Sequence, residues 1–424
     1  MLELNFIRQH PDAVKQNFIK RGQQERVSDV DDVLEADRKQ KKLKGELDTL
    51  RAEKNSLSEK INKTKKEKGN ISSLVAKVKS LPQEIKEKED ECNSLGQHLR
   101  TLLLSIPNIL HESVPQGKGE EDNIAVREVG RKPVFSFPVK SHTDILEPLK
   151  LADLERAAKI AGARFFFLKN ELVLLEQALI KFALDFLYKK GFTLIEPPFM
   201  MRQEPYEGVT DLKDFEDVMY KIEDEDLFLI ATSEHPMAAM HSEETFSPEE
   251  LPIKYAGVSP CFRKEAGAHG KDTKGIFRVH QFTKVEQFIF CKPEDSWKYF
   301  EELLANAEEI LQALKLPYRV VSICTGDIGT IASKKIDLEV WMPASQQYRE
   351  VVSCSNVLSY QATRLNIKYS QDGKKEFVHT LNSTAVATTR MIVAIMENFQ
   401  NEDGSFTVPD ALHPYLHGMK RIPP

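Results

Sequence analysis

Disulfide and zinc frameworks are missing from this sequence. Its 424 residues include only five cysteines, Cys92, Cys261, Cys291, Cys324 and Cys354. They stand about 30 to 170 residues apart with no C-x-x-C pair, which excludes a disulfide scaffold and a structural zinc module. No stretch reaches the roughly 18 to 20 apolar residues that cross a bilayer. The opening MLELNFIRQHPDAVKQ carries acids and no long apolar run, so no secretory leader is expected. Basic excess is absent too: 59 Lys and Arg face 65 Asp and Glu, a net charge of −6. A globally basic, DNA-coating surface is thereby excluded, although a local basic patch is not. No G-x-x-x-x-G-K-[ST] occurs, no G-x-G-x-x-G follows an expected strand, and H-E-x-x-H is absent. His413 and His417 lie four apart in a proline-bounded tail, but zinc needs more ligands than two. A reduced, cytosolic chain remains, with 424 residues being more than one compact core usually holds.

What is present divides near residue 105. From Ala36 apolar residues recur at Leu43, Leu47, Leu50, Leu57 and Ile61. They resume at Leu74, Val78, Leu81, Ile85, Cys92, Leu95, Leu99 and Leu102. Steps of 3, 4 and 7 are those of a coiled-coil seam, and Gly69-Asn70 between the runs supplies a turn. Two antiparallel helices are expected over about 31–103, each of roughly 30 residues and about 45 Å long. Pro82 interrupts the second run and should kink it. Residues 37–68 hold 12 Lys or Arg against 6 Asp or Glu, and Lys60, Lys63, Lys65, Lys66 and Lys68 gather at the expected tip. Such a run is either a solvated coiled-coil face or a lever carrying positive charge to a phosphate backbone.

The arm, with the helices before it, makes a first domain of residues 1–105. Residues 106–125, rich in proline, glycine and polar clusters, read as a linker, and 126–424 as the body. There, helical patterns such as 170–189, stopped by Gly191, alternate with β-rich runs at 163–168, 192–199, 227–233, 282–290 and 336–342. Polar residues alternate with apolar ones in these runs, which favours an α+β fold with an antiparallel sheet flanked by helices. Candidate chemistry is concentrated between 255 and 290. A β-hairpin is expected there, with Arg263 and Glu265 on one strand face, Arg278, His280 and Phe282 on another, and Lys284 and Glu286 continuing it. Glycines 267, 270 and 275, with Lys271, Asp272 and Lys274, form the connecting loop. Arginine can hold a phosphate or carboxylate in a bidentate fork, and a neighbouring phenylalanine offers a stacking face for a base.

Phe262-Arg263-x-Glu265, the glycine-rich loop and Arg278-x-His280-Gln281-Phe282 resemble motif 2 of the class II aminoacyl-tRNA synthetases, and within them the seryl-tRNA synthetase family. The stretch Gly191 to Pro198 resembles motif 1, with its dimer-forming strand. Thr232-Ser233-Glu234 resembles the serine-binding Thr-x-Glu loop. Tyr348 through Asn356 and Gln361 to Arg364 resemble the segment before motif 3, and Asn382 through Arg390 with Glu397-Asn398 resemble motif 3 itself. Ile106-Pro107-Asn108 and Val114-Pro115-x-Gly117 are similar to the family's arm-to-body connection. The likeness runs through nearly the whole chain in order. Asn382-Ser383-Thr384-Ala385 lacks the glycines of many members, and Thr389 stands where class II enzymes often have Glu. Both features resemble the archaeal and eukaryotic branch.

The resemblance implies activation of L-serine by ATP to seryl-adenylate, with release of pyrophosphate, and transfer to the 3' end of tRNA(Ser). Selenocysteine tRNA, tRNA(Sec), is left open as a second acceptor. It implies Arg263, Glu286 and Arg390 as catalytic residues, and Thr232, Ser233, Glu234, Asn382 and Thr384 around serine with Arg263 and Glu286. Arg263 would bridge the serine carboxylate and the α-phosphate, Glu265 would read the adenine amino group, and Phe282 with Arg390 would sandwich the ring. Arg278 would hold the γ-phosphate end beside the Val279 backbone. Lys264, Val351 and Val352 complete the ATP set, while Glu350 and Ser353 would ligate Mg2+. A homodimer, tRNA contact by the arm, and neither DNA nor membrane as partner follow. The rival readings are a catalytically retired RNA-binding paralogue, a ligase charging a carrier protein, and an unrelated coiled-coil structural protein. Retention of Arg263, Glu286 and Arg390, a complete arm and the ordered motifs speak against them in turn.

Overall fold

A computed structural model describes residues 1–211, 218–266 and 274–423. The chain forms two compact units, residues 1–107 and 108–424. In the first, α1 (Leu4–Gln9) and α2 (Pro11–Lys20) precede two long helices, α3 (Asp29–Lys66) and α4 (Ser72–Ser105). At 38 residues α3 would be about 57 Å long, so the arm exceeds the expected length. Its seam is the apolar repeat: Leu47 and Leu57 pack with Leu81 and Ile85, flanked by Leu50, Leu74 and Val78. Near the base of α4, Leu103 and Leu104 are buried, while Leu102 is only half-buried. The helix runs through Pro82 without a break in its span. The turn is built by Lys68 at φ +55° and by Asn70, whose Oδ1 accepts from the Ser72 backbone N–H at 2.9 Å. Arg8 clamps Asp37 through two hydrogen bonds of 2.8 and 2.7 Å, fastening α1 to α3.

The second unit is built on an eight-stranded sheet. Its strands are β1 (Ile124–Val129), β2 (Thr193–Ile195), β3 (Ile253–Phe262), β4 (Gln281–Cys291), β5 (Tyr318–Ser322), β6 (Lys334–Met342), β7 (Gln347–Leu358) and β8 (His379–Ala387). They lie in the order β1-β5-β6-β7-β8-β4-β3-β2, antiparallel except for the β2–β3 pair. The segment read as a linker packs onto this unit from Asn108 onward: the Asn108 amide donates to the Ile331 and Val357 carbonyls at 2.8 and 2.7 Å.

One face of the sheet is covered by α6 (Glu171–Lys189), α8 (Ser296–Ala313) and α9 (Thr388–Asn398); a shorter helix, α5 (His142–Leu149), precedes them in the chain. Leu175 and Leu179 of α6, Phe300 and Leu303 of α8, and Ile392 and Ile395 of α9 bury against Val285 and Ile289 of β4 and Leu338 of β6. Side chains alternate along β4, so this apolar face leaves Phe282, Lys284 and Glu286 on the other. Farther along that second face, Phe288 and Phe290 join a separate core with Tyr206, Met237 and Ile367. The polar stretch between is where the site lies.

Candidate active site

A cavity of about 690 Å³ opens over the sheet. Its walls include Thr232, Glu234, Arg263, Phe282, Glu286, Glu350, Val351, Ser353, Asn382, Thr384 and Arg390, eleven residues singled out from sequence. Strand pairing gathers them. Thr384 lies opposite Glu286 across β8 and β4, although 98 positions separate them in the chain. On β7, a register shift opposite Leu338 and Glu339 puts Glu350, Val351 and Ser353 all on the cavity; Val351 is also buried in the apolar core, together with Val352.

The inner end holds two buried carboxylates. Asn382 Nδ2 and Gln361 Nε2 each donate to Glu234 Oε1 at 3.1 Å, and Glu234's own backbone N–H donates to Thr232 Oγ1 at 3.1 Å. Burial, reinforced by the neighbouring Glu286 charge, pushes Glu234 up to about 7. Burial also raises Glu286, against the opposing pull of Lys284 and Arg263. Lys284 forms an ion pair with Glu286, and Thr384 Oγ1 donates to it at 3.5 Å. His235, hydrogen-bonded to Tyr206 through Nδ1 at 3.0 Å, is pushed down to about 3 by burial and then by Lys284 and Arg263. It is neutral at neutral pH.

The outer end is cationic and aromatic. Arg263 Nε donates to the Ala231 carbonyl at 3.2 Å, and its guanidinium stands 5.4 Å from the centre of the Phe282 ring. Arg390 donates to the Glu350 side chain and carbonyl, both at 3.0 Å. Burial opposes ionisation of Glu350, but Arg390, Lys335 and Arg263 outweigh it and hold the carboxyl below its ordinary range. Arg278 pairs with Glu265 at 2.8 Å.

Two strand-face expectations are corrected. Arg263 and Glu265 do not share a strand face, because β3 ends at Phe262 and Glu265 turns at φ +51°. Arg278 and His280 likewise precede β4, which starts at Gln281. Ser233 faces away from the cavity, donating to the Gly257 carbonyl at 3.1 Å and so fastening a short helix, α7 (Glu234–Ala239), to β3. Val279 is buried in the core and can offer a ligand only its backbone. Lys264, Glu265 and Arg278 are not among the cavity walls, and the backbone N–H of Lys264 donates to the Val218 carbonyl at 2.8 Å. Gly267, Gly270, Lys271 and Asp272 lie outside the described residues.

Two models of known families match this chain: the seryl-tRNA synthetase N-terminal domain over residues 1–110, and the tRNA synthetase class II core domain (G, H, P, S and T) over residues 219–399. A serine–tRNA ligase of Methanoculleus marisnigri is 54% identical, with 100% of each chain aligned. The chain belongs to the seryl-tRNA synthetase family. A crystal structure of seryl-tRNA synthetase from Pyrococcus horikoshii complexed with ATP superposes with a TM-score of 0.93 at 48% identity, over 100% of this chain and 99% of that one. The cytoplasmic serine–tRNA ligase of Naegleria fowleri in complex with AMP gives 0.87 at 40% identity, over 100% and 98%.

Within this seryl-tRNA synthetase family member, sequence reasoning gave no site role to Lys284, Lys335 or His235, all cavity-lining. Lys284 was within reach, since it alternates with Phe282 and Glu286 on one strand. Lys335 was not, because its neighbour Asp337 looks like an ordinary surface residue in sequence. Burial pushes Asp337 up to about 7 despite Lys335, whose Nζ lies 3.7 Å from it, with Glu350 adding to the rise.

Proposed function

We propose that this chain is a serine–tRNA ligase: it activates L-serine with ATP and transfers the seryl group to the 3' end of tRNA(Ser). The observation that carries the reading is the cavity itself. Two buried carboxylates at one end and two arginines with an aromatic ring at the other match an amino acid and a nucleotide laid end to end. In the first step a serine carboxylate oxygen bonds to the α-phosphorus as the bond to pyrophosphate breaks. In the second, a hydroxyl of the terminal adenosine attacks the seryl carbonyl, AMP leaves and the hydroxyl proton is lost. The nucleophile of the first step is already an anion, so positioning and charge stabilisation dominate over proton transfer.

Glu286 and Glu234 would take the serine ammonium and hydroxyl, with Thr232, Asn382 and Thr384 completing the pocket. A hydroxyl bound this way discriminates strongly against alanine, which would leave buried polar groups unpaired. Arg263 bridges carboxylate and α-phosphate, and Phe282 with Arg390 holds the adenine. Glu265, Arg278, Lys264 and the backbones of Val279, Val351 and Val352 serve the rest of ATP. Glu350 and Ser353, oxygen donors three positions apart on one strand and both on the cavity wall, would suit a Mg2+ whose remaining ligands are phosphate oxygens and waters. When bound, that ion neutralises phosphate charge.

The arm tip, where Lys60, Lys63, Lys65, Lys66 and Lys68 are all exposed, fits a phosphate backbone recognised by shape, that of tRNA(Ser) and of tRNA(Sec) if it is a substrate. A C2 homodimer is supported by exposed Phe167, Val173, Leu174 and Leu194 on and around α6 and β2. No helix among the described residues is long and apolar enough to cross a membrane; the proposed place of work is the cytoplasm. ATP–pyrophosphate exchange with serine, compared with threonine, alanine, cysteine and glycine, tests the proposal. Exchange that depends on serine and disappears in Arg263→Ala is expected; no exchange with any amino acid refutes it and favours the catalytically inactive RNA-binding paralogue.

A further inference from the structure

One imidazole outside the substrate-binding set joins three separate elements. His142 opens α5, and its backbone N–H donates to Glu397 Oε1 at 3.1 Å, while its Nδ1 lies 3.2 Å from the same oxygen. The other carboxylate oxygen of Glu397 accepts from the Ala344 backbone N–H at 3.2 Å, so this buried acid is anchored on both sides. On the far side of the ring, the Ile276 backbone N–H donates to His142 Nε2 at 3.4 Å. A ring nitrogen facing an N–H has to accept, so the partners assign the ring proton to Nδ1, toward Glu397.

The approach is close enough to dictate a residue type. A Cβ added at Gly275 would stand 1.9 Å from His142 Nε2, and Gly275 also sits at φ +82°. Glycine is required there twice over, for the left-handed backbone and for the space the imidazole occupies. Two of the elements joined carry residues read above as ATP-binding, Arg390 on the cavity wall and Arg278 outside it. Glu397 lies on α9, which holds Arg390 near its start. Ile276 lies two residues before Arg278, the partner of Glu265.

We propose that His142 is a positioning residue for the nucleotide half of the site. Held by Glu397, it fixes the Gly275–Ile276 backbone against α9 and so sets the distance between the Arg278–Glu265 pair and Arg390. The proposal rests on the reading of those three residues as ATP-binding. It places the effect on ATP and spares serine, whose pocket is built on β4, β8 and α7.

The test combines exchange kinetics with amide hydrogen exchange in His142→Ala, His142→Gln and Gly275→Ala of the full chain. In His142→Ala the KM for ATP is expected to rise roughly five- to tenfold, the size of one lost hydrogen bond, with the KM for serine within about twofold. The Ile276 amide should lose protection while β4 keeps its own. His142→Gln, which still offers an acceptor and a donor, should restore most of the ATP affinity, and Gly275→Ala should reproduce the defect. Equal shifts in both KM values, or an Ile276 amide as protected in His142→Ala as in the wild type, would overturn the proposal. If His142→Ala does not fold, the Gln and Gly275 variants decide it by the same two readouts. Absence of serine-dependent exchange in the wild type would instead refute the functional reading, and the Ile276 protection would still decide the positioning contact.

Discussion

Replacing Lys284 by methionine keeps an unbranched side chain one atom shorter and removes the lysine paired with Glu286. The side chains of the pair are 7% and 2% exposed, so the charges meet away from bulk water. Removing one partner of such a pair costs about 3 to 5 kcal/mol if the other must stay charged. Glu286 has an escape, because it can bind a proton, and it already lies above its ordinary 4.5 through burial. In the variant the folded chain would hold a proton that the unfolded chain releases above about pH 4.5. The folded state then binds more protons, so stability falls as pH rises, by up to about 1.4 kcal/mol per pH unit. The expected cost is about 1 to 2 kcal/mol at pH 6 and about 4 kcal/mol at pH 8. In a unit of this size each kcal/mol moves the melting midpoint by about 2 °C, so drops of about 3 °C and about 8 °C are expected. Both tryptophans, Trp297 and Trp341, lie in residues 108–424, so tryptophan emission during a thermal melt reports that unit alone. A drop below about 1 °C at both pH values, or an equal drop at the two, would refute the reasoning.

Three further outcomes are expected. Glu234, pushed up to about 7, is neutral below that pH and ionised above it, so the KM for serine should fall as pH rises from 6 to 8. Glu234→Gln should raise that KM and flatten its pH profile; an unchanged profile counts against Glu234 as a ligand. Glu350→Gln should raise the Mg2+ concentration for half-maximal exchange roughly tenfold or more, and a midpoint unchanged in a Mg2+ titration counts against that carboxylate as a metal ligand. Changing Lys60, Lys63, Lys65, Lys66 and Lys68 together to alanine should leave pyrophosphate exchange intact. The KM for tRNA should rise at least tenfold and its salt dependence weaken by about one unit of slope per lost phosphate contact, which aminoacylation at several salt concentrations would measure.

What could be read from the sequence follows from how local each determinant is. The arm was legible because a coiled-coil seam is written in steps of three and four along one stretch, and Leu47, Leu57, Leu81 and Ile85 are buried as their spacing demands. The alternation of Phe282, Lys284 and Glu286 was legible for the same reason, since β4 is a regular strand of 11 residues. Arg263 and Glu265 defeated the same argument. Their strand ends one residue earlier, and nothing in the local pattern announces the left-handed turn at Glu265. Glu286 and Thr384 meet only because β4 and β8 are neighbours, a pairing that no periodicity encodes. For those residues the family resemblance did what physical reading of the chain could not. It also carried Ser233 into the binding set as part of a motif, although its hydroxyl is spent on the Gly257 carbonyl.

Charges in the cavity and beside it are arranged in pairs within the protein itself: Lys284 with Glu286 and Arg390 with Glu350 on its walls, Arg278 with Glu265 outside them, and the wall residue Lys335 with Asp337. Each pair holds a long side chain in a geometry that it would otherwise lose entropy to adopt, and each member is a group that a zwitterionic amino acid or a polyphosphate can replace like for like. An incoming phosphate can take the place of a carboxylate beside an arginine, and an incoming ammonium the place of a lysine beside a carboxylate. The reorganisation left for the moment of reaction is thereby small, as electrostatic preorganisation requires. The same arrangement determines how substitutions have to be interpreted. On the proposed reading Arg390→Ala removes a contact to the nucleotide, and it also strips Glu350 of the arginine that helps hold it ionised, so the loss measured contains both effects. Only the cycle Arg390→Ala, Glu350→Gln and the double variant separates them. A coupling energy near zero in that cycle would mean that the two residues act independently, and that pairing within the protein contributes nothing to how the site is held.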